Sequence, residues 1–206
     1  MGVSIITRTE KRMQETRHKI IECALEEFNV AGYRKAKISD IAERADIGYG
    51  TFYQYFNNKR DLLLFVGEEI SQNVGDYSYL KTYKGLGLRE RLYYGMIEIL
   101  KYYKKNSAAL AALHEAAASE MEFAASISRI HEKLFERTSR DINYFMKKGL
   151  CRDVVDENII MALTYMIDGY AQKIADAPKI HEDISKIADS LTEVAYRVLF
   201  DDNVEA

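Results

Sequence analysis

The sequence predicts an all-α protein: a small N-terminal domain of three helices, then a larger helical domain. One Pro and 11 Gly in 206 residues leave few helix breakers. Hydrophobic residues make up 48% of the chain and charged residues 30%, enough to fill a core and too apolar for a disordered chain. Apolar side chains recur every three or four residues through most of the sequence, the period of a helix with one buried face. The length fits one small domain plus a larger one, with a boundary expected between residues 58 and 59.

The elements follow from this spacing. Residues 9–31 form the first helix, with Ile20, Ile21, Ala24, Leu25 and Phe28 on one face and Gly32 as the terminating residue. Arg8, Lys11, Arg12, Arg17 and Lys19 crowd its start, as a solvated helix end or as an arm on phosphates. Two short helices are expected at Ile38–Ala45 and Tyr49–Phe56. A longer one begins at Lys59, carries Leu62, Leu63, Phe65, Val66 and Ile70, and ends near Tyr79. Lys84-Gly85-Leu86-Gly87 is a break. Leu88–Lys104 follows, with Leu88, Leu92, Met96, Ile99 and Tyr103 in one stripe, then an Ala-rich helix over Ala108–Ser119. Glu122–Lys148 is long, striped by Phe123, Ile127, Ile130, Leu134, Ile142 and Phe145, and ends in a cationic turn before Gly149. Asp156 caps a helix to Ala175 that is apolar nearly all round. Pro178 closes the connection to a last helix from about Ile180 to Phe200.

Residues 41–56 carry the most information. Ile41, Ala42, Ala45, Ile47, Phe52 and Phe56 form an inward set over helix, turn and helix. At about 100° per residue, Phe52 and Phe56 share one face of the second helix and leave Gly50 and Gln54 opposite. That arrangement is a helix-turn-helix whose second helix suits a DNA major groove. Gly50 allows close approach, Thr51 and Gln54 can meet base edges, and the hydroxyls of Tyr53 and Tyr55 and the cation of Lys59 can meet phosphates. Charge agrees with this division. Residues 1–60 hold 11 Lys and Arg against 8 Asp and Glu, whereas the remainder holds 18 against 24, within an overall charge of −3.

Other function classes find little support. His18, His114, His131 and His181 have no paired metal spacing, and His114-Glu115 has Ala118 where a second ligand would stand. No phosphate loop, nucleophile elbow or dinucleotide fingerprint is present, so neither an enzyme nor a bound cofactor or metal is expected. Cys23 and Cys151 read as free thiols of a cytoplasmic protein. The N-terminal apolar run is too short for a signal peptide, and no segment approaches the roughly 18 apolar residues of a membrane span.

A helix that is apolar all round near the chain's end needs cover on its second face. A second copy is the simplest source, through the last two helices of each chain. Two-fold symmetry would then set two recognition helices about 34–36 Å apart and imply a palindromic operator.

The sequence resembles the TetR family of bacterial transcriptional regulators over about residues 17–63. The family's pattern stands here as Gly32-Tyr33, Ile41-Ala42, Ala45-Asp46-Ile47, Gly50-Thr51-Phe52-Tyr53-Gln54-Tyr55-Phe56, Lys59 and Leu62. A weaker echo covers Gly149-Leu150, Arg152-Asp153-Val154, Asp156-Glu157 and Met166-Ile167-Asp168-Gly169. Three positions depart from the pattern. Lys37 stands where a hydroxyl residue usually caps the second helix, with Ser39 a candidate substitute cap. Asp46 replaces the turn Gly, and Gly48 replaces a hydroxyl N-cap.

The resemblance implies a helix-turn-helix DNA-binding domain, residues 1–58, and a helical effector-binding and dimerisation domain, residues 59–206. The expected DNA-binding set is Lys37, Ser39, Tyr49, Gly50, Thr51, Tyr53, Gln54, Tyr55 and Lys59. The expected effector set is Met96, Tyr103, Leu113, Phe123, Ile127, Ile130, Tyr165 and Tyr170. The implied function is a homodimeric repressor released from its operator by a small, mostly hydrophobic molecule. The rivals are a helical interaction protein that no longer binds DNA and a regulator that takes no ligand.

Overall fold

A computed structural model describes residues 7–76, 83, 85–176 and 183–201; most of these are helical, joined by turns and loops, with no strands among them. In chain order the helices are α1 (Arg8–Ala31), α2 (Ile38–Arg44), α3 (Tyr49–Phe52), α4 (Lys59–Asp76), α5 (Leu88–Lys105), α6 (Ser107–Ala117), α7 (Met121–Lys147), α8 (Glu157–Asp176) and α9 (Ile184–Leu199).

Local signals set most of these limits. Thr7 and Glu10 form a reciprocal capping box at the start of α1, the Thr7 hydroxyl accepting from Glu10 N–H at 3.2 Å. Gly32 ends the helix at φ 81°, a conformation that costs a β-carbon-bearing residue dearly. Asn58 caps α4 by accepting from the Asp61 amide at 2.8 Å, Asp156 caps α8 through the Ile159 amide at 2.9 Å, and Asp183 caps α9 through the Ser185 amide at 3.0 Å.

α1, α2 and α3 pack around Ile20, Ala24, Phe28, Ile41, Ala45, Phe52 and Phe56. That core continues without a break into the larger helices, where α4 lies along α7, α6 lies on α7 and α1, and α5 packs against both α8 and α9. The boundary expected at residue 58 therefore marks the start of α4 but no gap in packing. Gly67 allows the close crossing of α4 over α6 and α7: a β-carbon there would sit 2.3 Å from the Ser126 hydroxyl and 3.3 Å from Leu113.

The structure corrects two local expectations and bears out a third. The regular α-helix of the recognition segment ends at Phe52, not Phe56. The Gln54 and Tyr55 amides bond three residues back, to Thr51 and Phe52, so the chain tightens while Phe56 turns into the core. Ser39 does not cap α2. Its hydroxyl donates to Asp40 at 2.8 Å, and Lys37 occupies the N-cap with no side-chain bond. Asp46 adopts the left-handed turn at φ 52°. The last helix begins at Ile184; Ile180, Pro178, Tyr79 and Lys84 lie outside the described residues.

α8 is not covered on every side by its own chain. Ile160, Leu163, Ile167, Ala171 and Ile174 are buried, while Met161, Tyr165 and Tyr170 are exposed. The loop before α8 is fixed at its start by an isolated β-bridge between Cys151 and Phe200 and by Arg152, whose Nε donates to the Phe200 carbonyl at 2.7 Å.

Candidate nucleic-acid interface and effector cavity

The outer face of α3 is built from underneath. Phe52, fully buried, anchors the helix, and Phe56 lies 6.0 Å from it, ring centre to ring centre. This anchoring leaves Tyr49, Gly50, Tyr53 and Gln54 together in solvent. Tyr49 and Tyr53 are joined by a hydroxyl–hydroxyl hydrogen bond of 2.9 Å, with their rings edge to face. No atom lies within 4 Å of where a Gly50 β-carbon would stand, so the bare backbone faces outward. Thr51 and Tyr55 are half-buried; Lys37 and Ser39 are exposed at the start of α2.

Two cations are used differently from the sequence expectation. Lys59 Nζ donates to three backbone carbonyls, of Tyr33 at 2.7 Å and of Arg34 and Ala36 at 2.9 Å each. It lies 5.0 Å from the Tyr33 ring centre. All three of its donors are thus committed to closing the α1–α2 connection, and burial lowers its pKa. In the N-terminal basic cluster, Arg17 stacks 4.2 Å from the Phe65 ring centre.

Sequence reading missed the residues that hold this domain on the other. Glu115, in α6, accepts from the Tyr33 amide at 2.8 Å and the Arg34 amide at 3.3 Å. Arg60 pairs with Glu120 at 3.2 Å and with Glu122. Within the small domain, the almost buried Glu27 takes Arg44 of α2 at 3.0 Å. All these contacts join distant segments, and no local pattern announces them.

A cavity of about 330 Å³ lies between α7 and α8. Ser128, His131, Glu132, Leu134 and Phe135 line it from α7, and Met161, Thr164, Tyr165 and Asp168 from α8. Of the expected effector residues, only Tyr165 is in this lining. Tyr103 reaches the cavity indirectly: fully buried, it donates its hydroxyl to Asp168 at 2.9 Å. Burial first, and then Asp168, push the Tyr103 phenol well above its ordinary pKa, so it stays a donor. Met96 borders a void of about 30 Å³ beside the cavity. Leu113, Phe123 and Ile130 are core residues, Phe123 packing edge to face on Tyr33 at 5.5 Å; Ile127 is half-buried, and Tyr170 faces solvent away from the lining. Most of the apolar stripe of α7 fills the core and does not line this cavity. The lining is the polar-flanked stripe 128, 131, 132 and 135, matched by 161, 164, 165 and 168 on α8, both at helical spacing.

Cys23 and Cys151 are free, and burial raises both thiols, Cys151 to about 11. That is the opposite of an activated thiolate. Among the described residues no three His, Cys, Asp or Glu side chains are placed to hold a metal, and no helix is long and apolar enough to cross a membrane.

Comparison with known proteins follows this division. Residues 20–66 match the family model for bacterial regulatory proteins of the tetR family. The transcriptional regulator TtgR of Pseudomonas putida is 41% identical over 59 residues, 29% of this chain and 28% of that protein. AcrR of Shigella flexneri is 32% identical over 69 residues, 34% of this chain and 32% of that protein. The matched segment thus spans about a third or less of these relatives. Structural likeness runs further. A Syntrophomonas wolfei chain described as a TetR-family transcriptional regulator superposes with a TM-score of 0.70 at 25% identity, over 89% of this chain and 95% of that one. The FadR structure of Bacillus subtilis, in complex with stearoyl-CoA, gives a TM-score of 0.64 at 21% identity, over 86% and 96%.

Proposed function

The N-terminal domain places this chain in the tetR family of bacterial regulatory proteins, and from that premise we propose a dimeric repressor that leaves a palindromic operator when a small molecule binds. The observation that carries the DNA reading is the outer face of α3. Gly50 there has no neighbour, and Tyr49, Tyr53 and Gln54 are held in solvent by a buried Phe52. A bare backbone flanked by hydroxyl and amide groups can approach base edges closely, and tyrosine hydroxyls can donate to phosphates. The DNA-binding set is Lys37, Tyr49, Gly50, Thr51, Tyr53, Gln54 and Tyr55; Lys59 acts by shaping the α1–α2 connection that carries them.

Dimerisation through α8 and α9 is supported by the uncovered side of these helices. Tyr170 on α8 and Val194 on α9 are exposed large side chains, and a β-carbon at Gly169, next to Tyr170 in α8, would meet nothing within 4 Å. Burying such a face against its own copy would bring two α3 helices to one side of a duplex.

The effector reading rests on the cavity between α7 and α8. α7 is also bound to α4, by Arg129 to Glu68 at 2.7 Å and by Arg140 to the Gly75 carbonyl at 2.9 Å. A ligand that reshapes the α7–α8 gap therefore acts on helices that carry the DNA-binding domain. It releases DNA only insofar as it binds the released geometry more tightly.

Fluorescence anisotropy against DNA from upstream of the protein's own gene, with an unrelated duplex as control and two salt concentrations, tests the reading. Tight, sequence-preferring and salt-sensitive binding is expected. A folded dimer that binds neither duplex would overturn it in favour of a helical interaction protein.

A further inference from the structure

We propose that the α7–α8 cavity takes a lipophilic organic cation, its positive charge held by Asp168 and its apolar part by Phe135, Tyr165 and Met161. The inference deepens the effector reading above and rests on it.

The charge at the cavity is one-sided. Asp168 lines it and is only 8% exposed, and Glu132 contributes a second carboxylate at its more exposed rim. A carboxylate buried to this degree needs partners. One oxygen of Asp168 has Tyr103, a neutral donor at 2.9 Å. The other lies 3.3 Å from His131 Nε2, but that contact lacks hydrogen-bond geometry and leaves the buried Nε2 without a partner. A carboxylate accepts at about four lone-pair sites, so Asp168 retains capacity on its cavity side. Arg137, a buried cation of α7 that also faces Tyr103, borders the adjoining void and does not line this cavity.

The rest of the wall suits the same ligand. Phe135 and Tyr165 bring aromatic rings to the lining from opposite helices, and Met161 adds a polarisable side chain. Rings near a carboxylate are the arrangement that recognises alkylammonium groups. At about 330 Å³ the space matches the lower end of small-molecule sites. An anionic ligand would face two carboxylates and one imidazole, and a plain hydrocarbon would leave Asp168 and His131 unmet.

The test compares two ligands of one shape on the full chain: benzyltrimethylammonium and its uncharged carbon analogue, neopentylbenzene. Binding is followed by calorimetry, and operator binding by anisotropy on the same sample. The cation is expected to bind about tenfold tighter than the analogue. Asp168→Asn, which keeps an acceptor for Tyr103, should remove that preference while the analogue still binds. Equal affinities in the wild-type protein would overturn the inference, as would a preference that survives in a folded Asp168→Asn variant. If that variant does not fold, Glu132→Gln at the exposed rim and the wild-type comparison decide: a cation preference that survives Glu132→Gln supports the inference, and one abolished by it, or binding of neither ligand to wild-type protein, overturns it. Failure of the regulator reading is separate: it would show as loss of operator binding in the untreated sample, whatever the ligands do.

Discussion

Glu115→Ala should loosen the DNA-binding domain from the helices that carry it. The Glu115 carboxylate closes on the Tyr33 amide at 2.8 Å and the Arg34 amide at 3.3 Å. Hydrogen bonds to a charged group contribute about 1.5–3 kcal/mol each when well formed. The bond to Tyr33 is short and part-buried; that to Arg34 is long and exposed, and counts at the bottom of the range or below. Truncation also leaves the Tyr33 amide unpaired and removes one of the two carboxylates, with Glu120, that favour the charged form of Lys59. The expected loss is about 2–3 kcal/mol, read from urea unfolding. Glu115→Gln keeps one acceptor and should lose about half as much. Because Lys59 closes the same connection from the other side, Glu115→Ala and Lys59→Met should be non-additive in a double-mutant cycle. A loss for Glu115→Ala below about 0.5 kcal/mol, the range of ordinary surface changes, would refute this account of how the domains are joined.

Gly50→Glu should abolish operator binding without moving the unfolding midpoint, since the side chain meets open space; unchanged DNA affinity would remove α3 from the interface. Phe52→Ala empties a fully buried site and should cost about 3–5 kcal/mol, visible as unfolding of the N-terminal domain and loss of DNA binding together. Gly67→Ala should lower the melting temperature despite alanine's better helix propensity, because the new β-carbon meets Ser126 and Leu113; a rise would mean that the crossing has slack. At alkaline pH, burial lifts Tyr33 from 10 to about 12, so the folded state keeps a proton the unfolded chain loses. Its stabilisation is full below pH 10 and fades as pH rises towards 12, and Tyr33→Phe should flatten that part of the melting-temperature profile.

The helix order, the helix-turn-helix and its outward residues were legible in the sequence because they depend on short-range period and on turn chemistry. Phe52 and Phe56 fix which side of α3 is buried, and Gly50 and Gln54 follow by geometry alone. The break at Gly85, the caps at Asp156 and Gly48 and the left-handed Asp46 are equally local. The tertiary structure decided the rest. Lys59 looks like a free cation in sequence, yet three carbonyls converge on it only after α1 and α4 dock. Glu115, 82 residues from Tyr33 along the chain, cannot be paired with it by any pattern. The α7–α8 cavity was not legible because an apolar stripe marks what fills a core, whereas a cavity forms where two helices fail to fill the space between them. Which residues border that gap depends on how α7 and α8 rotate against α5 and α6, and that rotation is set by the packing of the whole bundle.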